Sequence, residues 1–365
     1  MFASPSRAAL YAVTFVFTLL AACNQLAPAP EGNGEPAPSA PPSVGSDAAA
    51  QTPVPIIFDT DLGYDCDDAG ALAVLHNLTR RGEARLLATM SVVGDPQSAA
   101  ALDVINTYYG RPDVPIGAYK GDRWIDATPY WYRPATDFLA PLVSEYESDV
   151  KRKSDVLDAV GLYRRILATQ PDRSVTVVAV GFSLNLANLL ASAPDASSPL
   201  SGQLLVAKKV KRLVYMGSRL QDGSLKDNRP DFNLGDGPYQ DGQSAQRVVA
   251  TWPTEIVFVG GEIGSGITTG RGLRAQLPEN PVARAYDLFP GLSVRGERPS
   301  WDLTAVLYAV RGGGTFWRVV GGEHLEVAAT GVTHWQPGAV KPGRYRLEQT
   351  GQSRDIKGVL EALLY

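Results

Sequence analysis

Val54-Pro-Ile-Ile-Phe-Asp-Thr-Asp-Leu-Gly-Tyr-Asp-Cys-Asp-Asp-Ala-Gly-Ala-Leu-Ala-Val-Leu-His-Asn-Leu78 is the stretch on which the fold turns. Pro55 to Phe58 form a short apolar run that ends in acidic residues, and from Ala69 to Leu78 apolar residues return at helical spacing. The pattern predicts a buried strand, a tight loop and a helix. Further along, Arg85 to Val93 precedes the helical pattern Ser98 to Tyr109, and Ser174 to Val180 precedes Leu184 to Leu190. Arg212 to Met216 and Thr254 to Val259 read as two more buried strands. Continuous apolar runs alternating with amphipathic helices predict an α/β fold: a doubly wound, mostly parallel sheet with helices on both faces. No internal repeat is visible.

The loop of that first unit holds five carboxylates in ten residues: Asp59, Asp61, Asp65, Asp67 and Asp68. In an open parallel sheet the carboxyl end of a strand is where ligands bind. Helix capping explains one or two of the five, because Asp at an N-cap or in a first turn contributes about 0.3 to 2 kcal/mol. The others repel: two unit charges about 4 Å apart at an effective dielectric near 20 cost roughly 4 kcal/mol. A bound cation resolves that conflict. Oxygen-only ligands select a hard ion such as calcium or magnesium, and Gly63 lets the loop bend around it. Zinc does not fit, because none of the three His pairs with a Cys or a second His at ligand spacing.

Composition sets the remaining bounds. The chain has 365 residues, is 44% hydrophobic and carries a net charge of −4, without the basic excess that neutralising nucleic-acid phosphates requires. Nucleic acid is therefore excluded as a partner. Arg7 followed by the apolar run Ala8 to Leu20 reads as an export signal too short to span a bilayer comfortably. It ends in Leu20-Ala21-Ala22-Cys23, which resembles the lipobox of bacterial lipoprotein precursors. Residues 1–22 are thus expected to be removed and Cys23 to be acylated, with Asn24 resembling an outer-membrane sorting residue if the source is Gram-negative. Gln25 to Pro53, with seven prolines among Ala, Gly, Ser and Glu, reads as a disordered tether, so that residues 23–53 link the anchor to a folded domain over 54–365. Only Cys66 then remains, and no intramolecular disulfide is possible. The aromatic-rich stretch Asp122 to Pro134 reads either as a loop over a site or as packing beneath a long connection.

Asp-x-Asp after a strand occurs in two families. It resembles the nucleophile motif of haloacid-dehalogenase-type phosphatases, in which Asp59 would attack phosphate with magnesium present, but Gly63 stands where that family places Thr or Val. The better match is to the inosine/uridine-preferring nucleoside hydrolases. Ile57 to Leu75 looks like their N-terminal signature, in the variant with one residue between the later aspartates. Val178 to Ala187 is similar to their strand and calcium-ligating turn, Asp231-Phe232-Asn233 to their ribose-binding triplet, and Asp241 to Trp252 to the helix that follows. Arg298-Pro-Ser-Trp-Asp-Leu-Thr-Ala305 resembles the helix start that supplies the last calcium ligand. Together these cover about residues 54 to 360.

The resemblance implies a Rossmann-like fold and metal-dependent cleavage of the N-glycosidic bond of a nucleoside or related riboside. It implies calcium on Asp61, Asp68, Asp302 and the Leu184 carbonyl. It makes Asp61 the general base on a water, assigns Asp67, Asp231 and Asn233 to the ribose hydroxyls, and makes Asp59 and Asp65 supports for the ligands. Two substitutions stand out in the substrate region: Asp95 replaces the usual Asn, and Trp301 replaces a His proposed to help the base depart. Trp offers stacking and an indole N–H but no acid function at neutral pH. An alternative expectation follows, a surface protein that binds ribosides or sugars without turnover. Taken alone, Asp302 has a lesser reading as the N-cap of a helix Leu303 to Val310, Asn233 one as a turn residue, and Asp231, Asp236 and Asp241 one as solvated loop charges. His76, His324 and His334 fall on no motif and are expected to be structural. Relatives are often oligomers, so a homo-oligomer is expected, although no stripe marks its interface.

Overall fold

The computed structural model describes residues 52–123, 138–218, 230–237, 242–289, 296–338 and 343–365. Seven strands in chain order form most of the sheet: β1 Val54–Thr60, β2 Ala84–Ser91, β3 Ile116–Ala118, β4 Leu157–Asp158, β5 Val175–Ala179, β6 Val210–Met216 and β7 Glu255–Val259. Strands Trp317–Val320 and Arg344–Gln349 complete nine. Across the sheet the order is Trp317–Val320, Arg344–Gln349, β7, β6, β5, β1, β2, β3, β4. All neighbours are parallel except the outermost pair, in which Trp317–Val320 runs antiparallel to Arg344–Gln349. The predicted doubly wound sheet is therefore present, with an antiparallel edge that the sequence pattern did not show.

β1 lies at the reversal of strand order. β2, β3 and β4 extend from one side of it and β5, β6 and β7 from the other. The pleat sends alternate β1 side chains to opposite faces. Ile56 and Phe58 join a core with helix α1 (Asp67–Arg80) and the helices Pro281–Leu288, Trp301–Arg311 and Ser353–Leu364. Ile57 joins the second core, with the helices Ala159–Thr169, Leu184–Ala191, Gly202–Lys209 and Gln243–Thr251. Each face is thus closed by helices, which is why the strands read as unbroken apolar runs. The two cores lie wholly within the compact unit Ala50–Tyr365.

The helix starting at Trp301 extends the predicted Leu303 to Val310 by about one turn's worth of residues. A hairpin, Glu323–Val327 paired with Thr333–Pro337, carried no recognised signal in the sequence. Its turn meets the segment after β6, where Asp231 N–H donates to Gly331 O at 2.9 Å. Among the described residues no helix is long and apolar enough to cross a membrane. Cys23 and the tether through Gln51 lie outside the described residues, as do Trp124 to Pro134 and Asp241. Cys66 is a free, buried thiol.

Candidate active site

The alternation along β1 continues into the acidic loop and separates its carboxylates. Asp59 follows Ile57 to the second face. There Tyr163 OH donates to Asp59 Oδ2 at 2.8 Å and Asn185 Nδ2 lies 3.2 and 3.3 Å from its two oxygens. Burial pushes Asp59 up to about 7, even though both hydrogen bonds pull the other way. Thr60 points to the opposite face, where its hydroxyl donates to Asp68 Oδ1 and accepts from Leu62 N–H at 3.1 Å. A nucleophilic Asp59, as the phosphatase alternative requires, would thus be a buried carboxylate already engaged by two side chains.

On the Thr60 side the cluster is assembled from three elements. Asp61 follows β1, Asp67 and Asp68 open α1, and Asp302 is the second residue of the helix Trp301–Arg311. Oxygens of Asp67, Asp68 and Asp302 lie within 4.8 Å of one another. The backbone N–H of Asp302 donates to Asp67 Oδ2 at 3.1 Å across 235 positions of sequence. The predicted meeting of the chain's early aspartates with residue 302 is therefore present in the fold. Close packing of α1 against the helix Trp301–Arg311 produces it, with Leu303 buried in the same core as Ala69 and Leu72. Asp61 neighbours Asp68 closely enough for each to perturb the other's ionisation. All four are at most 4% exposed. Burial first, and then the neighbouring carboxylates, pushes Asp61, Asp67, Asp68 and Asp302 well above the ordinary carboxylate range.

These groups fit a hard cation. Asp61 Oδ2 and Asp68 Oδ2 are buried with no hydrogen-bond partner. Such orphaned acceptors cost roughly 1–3 kcal/mol each, more when charged, unless something binds them. The donors are all carboxylate oxygens, the set that suits calcium or magnesium.

Arg298 is a neighbour to which the sequence assigned no role. It forms a forked ion pair with Asp65, with Nε 2.8 Å from Oδ1, and its guanidinium lies 4.9 Å from the Phe289 ring centroid and 5.0 Å from that of Trp301. Burial works against its charge, but Asp65 and Asp67 outweigh that and hold Arg298 above its ordinary value. Tyr163, Asn185 and Thr60 were likewise missed. A lone polar residue inside an apolar helix or strand pattern carries no sign of which distant carboxylate it will meet.

The remaining expected site residues are placed as follows. Leu184 begins the helix Leu184–Ala191, and the turn before it abuts Asp61: a Cβ on Gly181 would lie 2.5 Å from Asp61 N, so glycine is required for that approach. Asn233 donates to Val180 O at 2.7 Å and to Met216 O at 3.1 Å, bridging the carboxyl ends of β5 and β6. Asp231 accepts from the N–H groups of Ser218 at 3.0 Å and Leu234 at 2.9 Å. Asp236, read as a solvated charge, is instead buried and paired with Arg123 at 3.6 Å. Asp95 accepts from Gln97 N–H at 2.7 Å ahead of the helix Ser98–Tyr108. The Trp301 indole N–H is committed to Gly261 O and Ser265 Oγ, both at 2.9 Å. Tyr64, Phe182 and Phe232 pack edge to face or tilted at 5.1 to 5.8 Å, beside Leu184. His76 pairs with Asn106 at 2.9 Å and His324 with Gly338 O at 2.7 Å.

The site thus occupies the carboxyl ends of β1, β5 and β6, where the strand order reverses. The family model for inosine-uridine preferring nucleoside hydrolase matches residues 56–340. The chain belongs to this family. It is accordingly an N-glycosyl hydrolase acting on N-ribosides, in a family of metal-dependent enzymes, and the buried aspartate cluster is what such a dependence requires. Solved structures agree on the fold. A plant nucleoside hydrolase, PpNRh1, superposes with a TM-score of 0.61 at 17% identity, covering 86% of this chain and 99% of that one. The inosine-uridine preferring nucleoside hydrolase of Bacillus anthracis gives 0.60 at 14% identity, covering 85% and 99%. The type III effector protein XopQ, solved with adenosine diphosphate ribose, gives 0.57 at 17% identity, covering 86% and 93%. No curated protein sequence matches the chain.

Proposed function

We propose that this hydrolase is calcium-dependent, cleaves ribonucleosides or closely related N-ribosides into base and ribose, and acts at the cell envelope from a lipid anchor on Cys23. The observation that carries the catalytic part is the convergence of Asp67, Asp68 and Asp302 within 4.8 Å, beside the unpartnered oxygens of Asp61 and Asp68. In this reading Asp61, Asp68 and Asp302, with the Leu184 carbonyl, hold the ion, and Asp67 joins Asp231 and Asn233 on the sugar. The grouping of Asp67 with Asp68 and Asp302 equally suits Asp67 as a ligand. When bound, calcium supplies positive charge against the carboxylates and acidifies a coordinated water.

The residues of the chain do the rest. Asp61 accepts the proton of the attacking water as its oxygen bonds to C1′, while the bond from C1′ to the base nitrogen breaks. Positive charge grows on the ribose ring during that step, and the surrounding carboxylates stabilise it. Asp231 and Asn233 are pinned by backbone groups of three different segments, so the sugar meets acceptors and donors already in place. The Trp301 indole N–H is turned to Gly261 and Ser265, leaving the departing base to take its proton from another donor.

Reducing-sugar release from a panel of purine and pyrimidine ribonucleosides tests this directly. Release is expected with calcium and is lost on chelation and in Asp61→Asn and Asp302→Ala. Turnover that is indifferent to chelators would remove the calcium assignment. For the anchor, a Cys23→Ser chain is expected to leave the detergent phase in which the parent partitions; unchanged partitioning would remove it.

A further inference from the structure

The end of the sheet opposite the site has a charge pattern that the proposed catalysis does not use. Because β2, β1, β5 and β6 are parallel neighbours, their amino ends form one edge: Val54 pairs with Ala84, and Val175 with Val210. The chain enters the sheet in the middle of this edge, at Val54. Arg80 and Arg81 end and follow α1, Arg85 lies on β2, Arg173 precedes β5, and Lys208 and Lys211 flank the start of β6; all six are exposed. Bonds tie part of this edge together. Arg173 N–H donates to Lys208 O at 2.9 Å, and Gln170 links Arg85 at 2.9 Å to Lys209 at 2.7 Å.

The acids along this edge are already taken: Glu83 by Arg311, Asp172 by Lys209 and Glu255 by Arg212. None of the six cations has a carboxylate partner among the described residues. In a chain of net charge −4 whose aspartates gather at the other end of β1, this is a marked separation of charge. The two ends lie about 20 Å apart, since seven strand residues each rise roughly 3.3 Å.

We propose that this amino-end face is a membrane-facing surface that lies against anionic phospholipid headgroups and leaves the aspartate pocket directed away from the bilayer. Exposed cations at the strand ends around the point where the chain enters the sheet suit an array of phosphates, each Lys or Arg near an anionic leaflet strengthening attachment about fivefold. Such attraction fades within a Debye length and weakens with salt. The inference goes beyond the catalytic reading and needs neither the metal nor the substrate.

Its test uses residues 52–365, which contain both cores and correspond to nearly the whole length of the Bacillus anthracis enzyme. They also omit the apolar amino-terminal run, which would bind bilayers by itself. Co-sedimentation with phosphatidylcholine vesicles, with and without phosphatidylglycerol, is expected to show binding only where the anionic lipid is present, falling as salt rises. The variant Lys208→Ser/Lys211→Ser/Arg173→Asn keeps a residue tolerant of the left-handed backbone at 173, where φ is 54°, and is expected to melt with the parent. It should bind anionic vesicles on the order of a hundredfold more weakly. Equal binding to neutral vesicles, no binding to anionic ones at low salt, or undiminished binding by a folded triple variant would each overturn the proposal.

Discussion

Asp59 and Asp68 are both fully buried carboxylates held at the end of one strand, yet their surroundings differ in kind. Asp59 faces two side-chain donors, Tyr163 and Asn185, which satisfy it within the protein. Asp68 receives one hydroxyl from Thr60, keeps Oδ2 unpartnered and faces Asp61, Asp67 and Asp302. A single pleat of β1 separates the two settings. Asp59 braces the β1 end against the helices of the second core, whereas the Asp68 side is a set of like charges complete only with something positive. Carboxylate density alone does not make a binding site; what matters is whether the fold supplies donors.

The largest expected effect comes from the unsatisfied side. Asp68→Asn should lower kcat/KM on the order of a thousandfold, whereas Asp59→Asn should lower it by tens of fold through the supports it disturbs. Equal losses would erase the distinction. Next, calcium at about a thousandfold excess over its Kd should raise unfolding free energy by about 4 kcal/mol over the chelated protein. Asp302→Ala should abolish that gain, as read by thermal melting.

A buried group outside both settings gives a third comparison. Burial lowers His76 from an ordinary value near 6.5 to about 4, outweighing its bond to Asn106. The unfolded chain therefore takes up a proton below pH 6.5 that the folded one refuses, so stability falls as pH drops from about 6.5 to 4, by about 3 kcal/mol in total. His76→Gln should flatten that part of the urea-midpoint profile; an unchanged profile would locate the acid sensitivity elsewhere. The smallest effect is one of sign. In chelator, Asp68→Asn should stabilise the fold by about 1 kcal/mol by removing a repelling charge, while Tyr163→Phe should destabilise it by about 1 kcal/mol. Matching signs would mean that the two settings do not differ.

Much of this was legible because the signals were local. The apolar runs at Pro55 to Phe58, Ser174 to Val180, Arg212 to Met216 and Thr254 to Val259 all became strands, since a strand covered on both faces needs no alternation to be recognised. The acidic run and the segment around Asp302 could be brought together only by resemblance, because no periodicity encodes a contact across 235 positions. β3 and β4, at three and two residues, are too short to leave a pattern. The carboxyl-terminal strands are half exposed, and their mixed residues resemble loop composition. The solvated reading of Asp236 failed for a related reason: a charge among glycines looks solvated until the fold buries it and brings Arg123 against it. Arg298 sat within a recognised segment, but its partner Asp65 lies at the other end of the domain.

The bond from the Asp302 amide to Asp67 also bears on how the protein is made. Closing a contact of such separation in sequence costs more chain entropy than closing a local one. A chain interrupted before the helix Trp301–Arg311 carries the α1 carboxylates but lacks the group that closes the ring around them. On the proposed ligand set, a fragment that ends before Asp302 lacks one of the carboxylates and should hold a cation more weakly than the whole chain.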